Sequence, residues 1–365
     1  FGILTNSGSS ANLLMMASMR SKRLYNFPKG TKVITPVAGF PTTVNPIFQV
    51  GFEPVFVDIE LDSLNLDVDQ LEEAAKQGAK ILTFAHVLGN PPNMDRVMEV
   101  VKQYDLVLLE DTCDALGSTY DGEKLGSFGE MASCSFYPAH HITMGEGGFV
   151  STRTCEQERV VRSFREWGRG CYCVGKAANL LKNGTCKRRF DNWIPTLPNE
   201  IFDHKFVYEE IGYNLKPIEL QASMGLAQME KIETITERRK ENYSRLFNVF
   251  KKYEEHLHLP RATDKSDPSW FAFPMTVKDG APFKRSDFTS FLEDNKIQTR
   301  NYFAGNIMLQ PAYDHLANTD DIVKNFPVSR KVTTDTFFLG TSPVITAEQI
   351  DYVGSVVDKF MKEEI

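Results

Sequence analysis

The sequence predicts an α/β protein with a large, mostly parallel sheet domain followed by a smaller C-terminal α/β domain. In the first half, short apolar runs typical of strands alternate with segments of helical periodicity. This alternation is typical of parallel sheets that helices cover on both faces. The second half begins with long helical runs and carries fewer strand signals. We therefore expect a large domain at residues 1–232 and a small domain at residues 233–365.

Composition narrows the functional classes. The 365 residues, 42% hydrophobic and 24% charged, suffice for one large core and a smaller one. No apolar run approaches the ~20 residues of a membrane span, and no signal-peptide pattern appears. A net charge of −7 argues against a nucleic-acid partner. Six cysteines without a secretory signal favour the cytoplasm, where thiols serve metal binding or catalysis rather than disulfides.

The predicted elements rest on apolar spacing and on the turn residues between apolar runs. The chain opens inside an apparent strand at Phe1-Gly2-Ile3, so we expect an N-terminal segment to precede it. In the large domain, strands are expected at 3–5, 32–37, 54–57, 80–87, 106–109 and 148–151, and helices at 11–20, 42–50, 71–77, 96–103, 156–167 and 219–232. In the small domain, strands are expected at 271–277 and 298–302, and helices at 234–253, 286–295 and 347–362.

A loop with two adjacent histidines carries the strongest functional signal. Residues 133–148 read Ser-Cys-Ser-Phe-Tyr-Pro-Ala-His-His-Ile-Thr-Met-Gly-Glu-Gly-Gly, a strand, a turn containing proline and a glycine-rich return. His140 and His141 at the tip of such a turn either face solvent or serve a site. The segment resembles the signature loop of the DegT/DnrJ/StrS sugar aminotransferases, which have the fold-type I, aspartate aminotransferase-like architecture.

In that family the loop carries the lysine that binds pyridoxal phosphate covalently. Here His140 occupies the lysine position, and no lysine occurs between Lys124 and Lys176. The resemblance therefore implies a cofactor pocket that holds pyridoxamine phosphate without a covalent tether. It also implies that His140 is the catalytic base, with His141 as a helper or a structural neighbour.

Further residues match the cofactor-binding positions of the family. The run Asn-Ser-Gly-Ser-Ser at 6–10 precedes a helix, and small residues at a helix N-terminus offer N–H groups and hydroxyls to an anion. An acid at the carboxyl end of an apolar strand lies where open α/β sheets bind ligands. The resemblance implies that the cofactor phosphate lies against Gly8, Ser9, Ser10 and Ser135. It also implies that Phe40 stacks on the pyridine ring and that Asp111 pairs with the ring nitrogen, with Asp114 nearby. In a homodimer, Asn214 would reach the cofactor of the second subunit.

The cysteines follow a second pattern. Cys171 and Cys173 form a Cys-x-Cys pair in a polar, glycine-rich loop at 168–190, with Cys186 further along it and Cys113 58 positions upstream of Cys171. Four thiolates hold either zinc or a [2Fe–2S] cluster, and the spacing alone does not separate the two. The two remaining cysteines, Cys134 and Cys155, are expected to be buried.

Together the histidine and the cysteines resemble one branch of the family, the iron–sulfur, pyridoxamine-phosphate-dependent hexose 3-dehydrases. Twelve residues separate Cys173 from Cys186 where that branch has seven, and an insertion at 174–185 accounts for the difference. A cluster held by Cys113 would lie near the cofactor ring, because two extended residues from Asp111 span only ~7 Å.

The resemblance implies removal of the C3 hydroxyl from a nucleotide-linked 4-keto-6-deoxyhexose, with CDP-4-dehydro-6-deoxy-D-glucose as the expected substrate. The cofactor amine would condense with the C4 ketone, His140 would take a proton from the cofactor methylene, and the hydroxyl would leave. The cluster would relay electrons from a separate NAD(P)H-dependent flavin or iron–sulfur reductase. This chemistry belongs to 3,6-dideoxysugar biosynthesis for lipopolysaccharide O-antigens. The alternatives are a cluster-free 3-dehydratase of the colitose type, an ordinary sugar aminotransferase, and a non-catalytic sugar-nucleotide-binding protein with structural zinc.

Overall fold

The computed structural model describes residues 1–171, 173 and 181–364. Tyr172 and residues 174–180, which belong to the predicted cluster loop, lie outside the described residues. Within that description, no helix combines the length and the apolar character that a membrane crossing requires.

A seven-stranded sheet forms the centre of the large domain. Its strands are β1 (Gly2–Thr5), β2 (Lys32–Pro36), β3 (Glu53–Val57), β4 (Ile81–Ala85), β5 (Val107–Asp111), β8 (Met131–Ser135) and β9 (Gly148–Thr152). The spatial order is β1-β9-β8-β5-β4-β2-β3. The five strands from β8 to β3 are mutually parallel, whereas β9 runs antiparallel to both of its neighbours. The parallel strands therefore end at one common edge of the sheet.

Helices cover both faces of this sheet. They are α1 (Gly8–Ser18), α2 (Pro41–Gln49), α3 (Val68–Lys76), α4 (Met94–Gln103) and α5 (Cys155–Arg165). A sixth helix, α6 (Glu219–Met229), follows later in the chain and is mostly exposed. One apolar core packs α1, α2 and α5 on one side, and a second packs α3 and α4 on the other. A small sheet joins β6 (Thr119–Tyr120), β7 (Glu123–Lys124) and β13 (Ser266–Asp267), and a hairpin joins β10 (Phe190–Asp191) and β11 (Phe202–Asp203).

The C-terminal part has its own antiparallel sheet and core. The strands β12 (Leu257–His258), β14 (Ala272–Val277), β16 (Thr336–Gly340) and β15 (Arg300–Asn301) are adjacent in that order. The helices are α7 (Ile232–Phe250), α8 (Arg285–Asp294), α9 (Thr319–Asn325), α10 (Pro327–Asp335) and α11 (Ala347–Glu364). Short 3-10 turns lie at Val87–Gly89, His204–Phe206, Lys251–Tyr253, Ile307–Leu309 and Pro311–Tyr313. The boundary at 232/233 stays a prediction.

The predicted elements differ from the observed ones mainly at their ends. The predicted helix at 11–20 starts three residues earlier, because the Ser7 side chain accepts a hydrogen bond from the Ser10 N–H and caps the helix at Gly8. The strand predicted at 80–87 ends at Ala85, where the chain enters a 3-10 turn. The strand predicted at 106–109 continues to Asp111 because its register with β4 extends that far.

Candidate active site

A cavity of about 1370 Å³ lies at the common edge where the parallel strands end, and residues of both domains line it. The predicted site residues Gly8, Ser9, Phe40, Asp111, Cys113, Asp114, Ser135 and His140 all line this cavity. The predicted residues Ser10, Asn214, Cys171, Cys173 and Cys186 do not. Among the lining residues that the sequence did not suggest are the cations Lys231, Arg239 and Arg300.

The N-terminus of α1 forms one wall of the cavity, with no room for a side chain at Gly8. A Cβ on Gly8 would lie 2.5 Å from the Ser135 Cβ and 2.8 Å from the Cys113 Sγ. The backbone there approaches the signature loop closely, which leaves N–H groups of the first helical turn next to the Ser135 hydroxyl. This cradle of N–H groups and a hydroxyl fits a phosphate group, whereas Ser10 instead bonds to the Ser7 hydroxyl oxygen through its N–H.

Asp111 ends β5 at the base of the cavity with both carboxylate oxygens hydrogen-bonded. Its Oδ2 accepts from Asn12 Nδ2 at 2.7 Å and from Thr43 Oγ1 at 2.8 Å. Its Oδ1 accepts from the Cys113 N–H at 3.1 Å and from Ser133 Oγ at 3.3 Å. Donors from three different elements hold the carboxylate in one orientation. A carboxylate that pairs with a ring nitrogen needs such a fixed orientation.

His140 and Asp114 lie side by side in the cavity lining, with His140 Nε2 3.6 Å from Asp114 Oδ1. Burial lowers the pKa of His140 to about 4. Burial, followed by the negative charge of Asp111, raises the pKa of Asp114 to about 7. Near neutral pH the imidazole is therefore neutral and able to accept a proton, and any proton shared by the pair belongs to Asp114.

The raised pKa of Asp114 makes stability depend on pH. The group titrates at 3.8 in an unfolded chain and at about 7 when folded, so the proton stabilises the fold below pH ~4 and this contribution disappears as pH rises through 7. We expect Asp114→Asn, which mimics the protonated acid, to gain up to about 4 kcal/mol relative to wild type between pH 4 and 8. Urea unfolding of the cofactor-free proteins at both pH values measures the difference, and a constant difference would contradict the assignment.

The loop that carries His140 is braced from behind by two buried groups. Arg239 Nη2 donates to the carbonyl oxygens of Ala139 and His140, each at 3.4 Å. His141 Nε2 lies 2.5 Å from the Ser269 carbonyl oxygen, and burial lowers the pKa of His141 to about 3. This contact anchors the loop, and because His141 also lines the cavity, its role as a helper or a structural neighbour stays a prediction. The sequence did not indicate Arg239 as a site residue, because a single arginine on a long polar helix has no local pattern that marks it as functional.

Phe40 is half exposed, and its exposed surface lines the cavity. Its ring makes an edge-to-face contact with Phe303, with the centroids 5.8 Å apart. An aromatic ring that packs on one side and is open on the other suits stacking on a planar ligand. Stacking of Phe40 on the cofactor stays a prediction.

Asn214 lies on the surface, where its Oδ1 accepts a hydrogen bond from Lys216 Nζ at 3.0 Å. Because it does not line the cavity of its own chain, a role in cofactor binding would require a second subunit. That role stays a prediction.

The structure brings three of the four predicted metal-binding cysteines together, with a histidine that the sequence did not suggest. His204 Nε2 lies 3.4 Å from Cys171 Sγ, 3.9 Å from Cys173 Sγ and 3.6 Å from Cys186 Sγ. Cys113 instead lines the cofactor cavity beside Gly8. His204 follows Cys186 by 18 positions, outside the cysteine spacing on which the prediction rested.

The other two cysteines differ from each other. Cys134 is buried in β8, as expected. The expectation that Cys155 is buried is wrong, because Cys155 is exposed at the first position of α5. Side chains in the first turn of a surface helix beyond its buried stripe point to solvent.

The residues that hold Asp111 were also missed by sequence reasoning. Asn12 interrupts the apolar run from Ala11 to Ala17 in α1, and this is the local signal that could have indicated it. Thr43 carries no comparable signal, because threonine is common in the first turn of helices.

Fold and site together define a fold-type I pyridoxal-phosphate enzyme. The solved structure of GDP-4-keto-6-deoxy-D-mannose-3-dehydratase from E. coli, with bound hydrated PLP, matches with a TM-score of 0.80 and 27% identity over 98% of this chain and 87% of that chain. The aminotransferase from Psychrobacter cryohalolentis has the same fold, with a TM-score of 0.83 and 21% identity over 100% of this chain and 87% of that chain.

The chain belongs to the DegT/DnrJ/EryC1/StrS aminotransferase family, whose profile matches residues 1–358. It is 44% identical to the lipopolysaccharide biosynthesis protein RfbH of Salmonella typhimurium, over 98% of this chain and 80% of the relative. It is 43% identical to the dTDP-4-dehydro-2,6-dideoxy-D-glucose 3-dehydratase of Saccharopolyspora spinosa, over 98% of this chain and 76% of the relative.

Proposed function

We propose that the chain is a pyridoxamine-phosphate- and [2Fe–2S]-dependent 3-dehydrase of a nucleotide-linked 4-keto-6-deoxyhexose. The observation that carries the proposal is His140, which stands in the cavity at the signature-loop position where the family's aminotransferases carry lysine. The relatives named as 3-dehydratases support this reaction type. The protein acts in the cytoplasm, in the biosynthesis of dideoxysugars for lipopolysaccharide O-antigens, as the similarity to RfbH suggests.

The residues of the cavity fit the cofactor at three points. The tight cradle at Gly8 and Ser135 would hold the phosphate, and the oriented carboxylate of Asp111 would hold the ring nitrogen. Phe40 offers an open aromatic face between them. When bound, pyridoxamine phosphate supplies an amine that captures a ketone and a pyridine ring that accepts electrons.

His140 moves the proton in this site. Its Nε2 is neutral above pH ~4 and accepts a proton, and Asp114 at 3.6 Å stabilises the resulting imidazolium when it is in its carboxylate form. Arg239 holds the backbone of the loop, which keeps the imidazole at a fixed position in the cavity. The depressed pKa makes His140 a weak base, so it acts on a carbon whose acidity the bound cofactor has already raised.

The substrate is anionic, and the cavity carries matching charges. Lys231, Arg239 and Arg300 line it, and Lys231 and Arg300 are exposed at its rim. Cations at the mouth of a cavity attract a diphosphate group. We assign CDP-4-dehydro-6-deoxy-D-glucose as the substrate, with the sugar toward His140 and the nucleotide toward the rim.

The net reaction needs electrons from outside the chain. Breaking the C3–O bond and forming a C3–H bond releases water and consumes two electrons and two protons. A separate NAD(P)H-dependent flavin or iron–sulfur reductase supplies the electrons, and the metal centre at Cys171, Cys173 and Cys186 would relay them one at a time. The thiols of these three cysteines lie 3.4–3.9 Å from His204 Nε2, and cysteine thiolates are the usual ligands of such clusters.

The chain acts as a homodimer. A run of large apolar side chains on and before α6 is exposed, including Ile211 at 95%, Leu220 at 68% and Leu226 at 71%. Apolar side chains so exposed and so close together mark a protein–protein interface. Asn214 lies next to this surface. A residue that reaches the cofactor of the neighbouring subunit has to lie at such an interface.

The test compares wild-type protein, purified without oxygen, with Cys171→Ser. With pyridoxamine phosphate, CDP-4-dehydro-6-deoxy-D-glucose, reductase and NADH, the wild type should form the 3-deoxy ketosugar. Cys171→Ser should lose iron and form less than a hundredth of the product, because the ligand set is incomplete. It should keep the exchange of the cofactor methylene hydrogen with solvent, which depends on His140. Product formation by Cys171→Ser without reductase would contradict the proposal.

A second candidate is a cluster-free 3-dehydratase of the colitose type that carries structural zinc. The observation that favours it is the group of Cys171, Cys173 and His204, with Cys186 Sγ 3.6 Å from His204 Nε2, because cysteine and histidine side chains are the common ligands of structural zinc. In that case the purified protein contains zinc and no sulfide, and turnover consumes no NADH.

A further inference from the structure

A row of aromatic rings runs along one side of the active-site cavity. Phe40 contacts Phe303 with the ring centroids 5.8 Å apart, and Phe303 contacts Phe338 at 5.7 Å. Phe338 contacts Phe271 at 6.5 Å, and Phe271 contacts the His140 ring at 5.3 Å. All five residues line the cavity. The row therefore connects the residue predicted to stack on the cofactor with the proposed base.

Three of these rings, Phe271, Phe303 and Phe338, come from the C-terminal part of the chain and form what we call the aromatic wall. Each is partly exposed, and each packs against an apolar cluster that both parts of the chain build. Phe337, the neighbour of Phe338 in β16, is by contrast fully buried in the C-terminal core. Aromatic rings that are backed by a core and open to a cavity are surfaces for apolar groups of a ligand.

Backbone pairing fixes Phe303 beside Phe40. The Ala304 N–H donates to the Gly39 carbonyl oxygen at 3.3 Å, and the Gly39 N–H donates to the Gly305 carbonyl oxygen at 3.2 Å. Phe303 itself has φ at +42°, in the left-handed region that a residue with a bulky side chain rarely adopts. Backbone held in such a conformation clusters at ligand-binding and active sites, which indicates a functional position for this ring.

The aromatic wall lies beside a cation that suits the diphosphate of the proposed substrate. Arg300 in β15 is paired directly with Phe338 in β16, so both side chains project from the same face of the sheet. Residues directly opposite each other in an antiparallel pair have Cβ atoms about 4.5–5.5 Å apart. The wall therefore spans the distance from the predicted cofactor-stacking ring, beside Phe303, to a cation at the rim, beside Phe338.

The sugar of the proposed substrate spans the same two points. Its C4 lies at the cofactor amine, and its C1 carries the diphosphate. Two edges of the sugar ring connect these atoms: C2 and C3 with their hydroxyl groups form one edge, and the ring oxygen and C5 with the C6 methyl group form the other. Phenylalanine rings offer no hydrogen-bond partner, so a hydroxyl group placed against them would be left unpaired. The edge that carries the methyl group is therefore the one that fits the wall.

We propose that Phe303 and Phe338 form the subsite for the C6 methyl group and make the chain selective for 6-deoxy over 6-hydroxy sugars. The proposal rests on the nucleotide-sugar substrate of the proposed function and names the residues that contact one part of it. A methyl group against these rings is removed from water, whereas a 6-hydroxyl group there would lose its hydrogen bonds to water. An apolar pocket of this kind rejects an added hydroxyl group by roughly 10- to 100-fold.

Binding of sugar nucleotides that cannot react tests the subsite. Isothermal titration calorimetry measures the Kd of CDP-6-deoxy-D-glucose and of CDP-D-glucose, and of the two dTDP-linked counterparts, for the chain loaded with pyridoxamine phosphate. None of these ligands carries the 4-ketone, so the measurement does not depend on turnover. The wild type should prefer the 6-deoxy sugar by roughly 10- to 100-fold. Phe338→Ala and Phe303→Ala should each lower the preference to about threefold or less, because water reaches and hydrates the 6-hydroxyl group.

Two further variants control for the change of a large side chain. Phe338→Leu keeps an apolar surface at the same position and should keep the preference for the 6-deoxy sugar. Phe337→Leu alters the core on the opposite face of β16. It should lower the melting temperature and leave the Kd values within about twofold of wild type, because the cavity wall is untouched.

The outcomes separate the subsite from the reaction. Equal affinities of the wild type for the 6-deoxy and 6-hydroxy sugars, or a preference that Phe338→Ala leaves unchanged, would overturn the subsite even if the chain forms the 3-deoxy product. A preference that Phe338→Ala abolishes, in a chain that forms no 3-deoxy product, would support the subsite and overturn the dehydrase. If none of the four ligands bound, the nucleotide-sugar assignment and the subsite would both be wrong.

Discussion

His140→Asn is expected to slow the exchange of the cofactor methylene hydrogen with solvent by roughly 10²–10⁴-fold, the usual contribution of a general base. Cofactor affinity should change little, because the cradle at Gly8 and the Asp111 carboxylate are untouched. Deuterium incorporation followed by NMR measures the exchange, and a titration of cofactor absorbance measures the affinity.

The neighbouring histidine supplies the matched control. His141→Asn should change the exchange rate less than tenfold, because the His141 Nε2 is engaged with the Ser269 carbonyl oxygen, although His141 also lines the cavity. Its main effect should be a loss of stability, since the change leaves a buried carbonyl group without its donor. If His140→Asn exchanged at the wild-type rate, the base would have to be another residue of the cavity.

Asp111→Asn is expected to weaken cofactor binding by about 10- to 200-fold, which corresponds to the 1.5–3 kcal/mol of a hydrogen bond to a charged group. The change removes the negative charge that would pair with the ring nitrogen. It also places an NH2 group against a shell that consists of donors, including Asn12 Nδ2 and Thr43 Oγ1. Turnover should fall further than affinity, because an unprotonated ring accepts electrons poorly.

Thr43→Ser is the control for this change, since it keeps the hydroxyl that donates to Asp111 Oδ2. It should keep cofactor affinity within a few-fold of wild type. If Asp111→Asn kept both affinity and turnover, another acid would have to pair with the ring nitrogen. Asp114, which lies 3.6 Å from His140, would be the first candidate.

Much of the active site could be predicted from the sequence because its residues sit at the ends of regular elements. Asp111 ends a buried strand, and the carboxyl ends of parallel strands meet at one edge of the sheet. Gly8 begins a helix, and His140 stands in a hairpin connection between β8 and β9. Strand and helix periodicity depends on near neighbours in the chain, so these positions follow from local patterns.

The relations between distant residues were decided by the tertiary structure. The raised pKa of Asp114 comes first from burial, and the bracing of the His140 loop by Arg239 joins residues almost a hundred positions apart. Neither leaves a local pattern, because burial and long-range hydrogen bonds exist only once the domains pack.

The metal centre shows the same division. From the sequence we predicted one ligand set made of Cys113, Cys171, Cys173 and Cys186. Only the tertiary structure decided that His204 lies beside the last three of these and that Cys113 lies in the cofactor cavity. The reason is strand register: the pairing of β10 with β11 sets which residues meet at the end of the hairpin, and spacing along the chain does not contain that information.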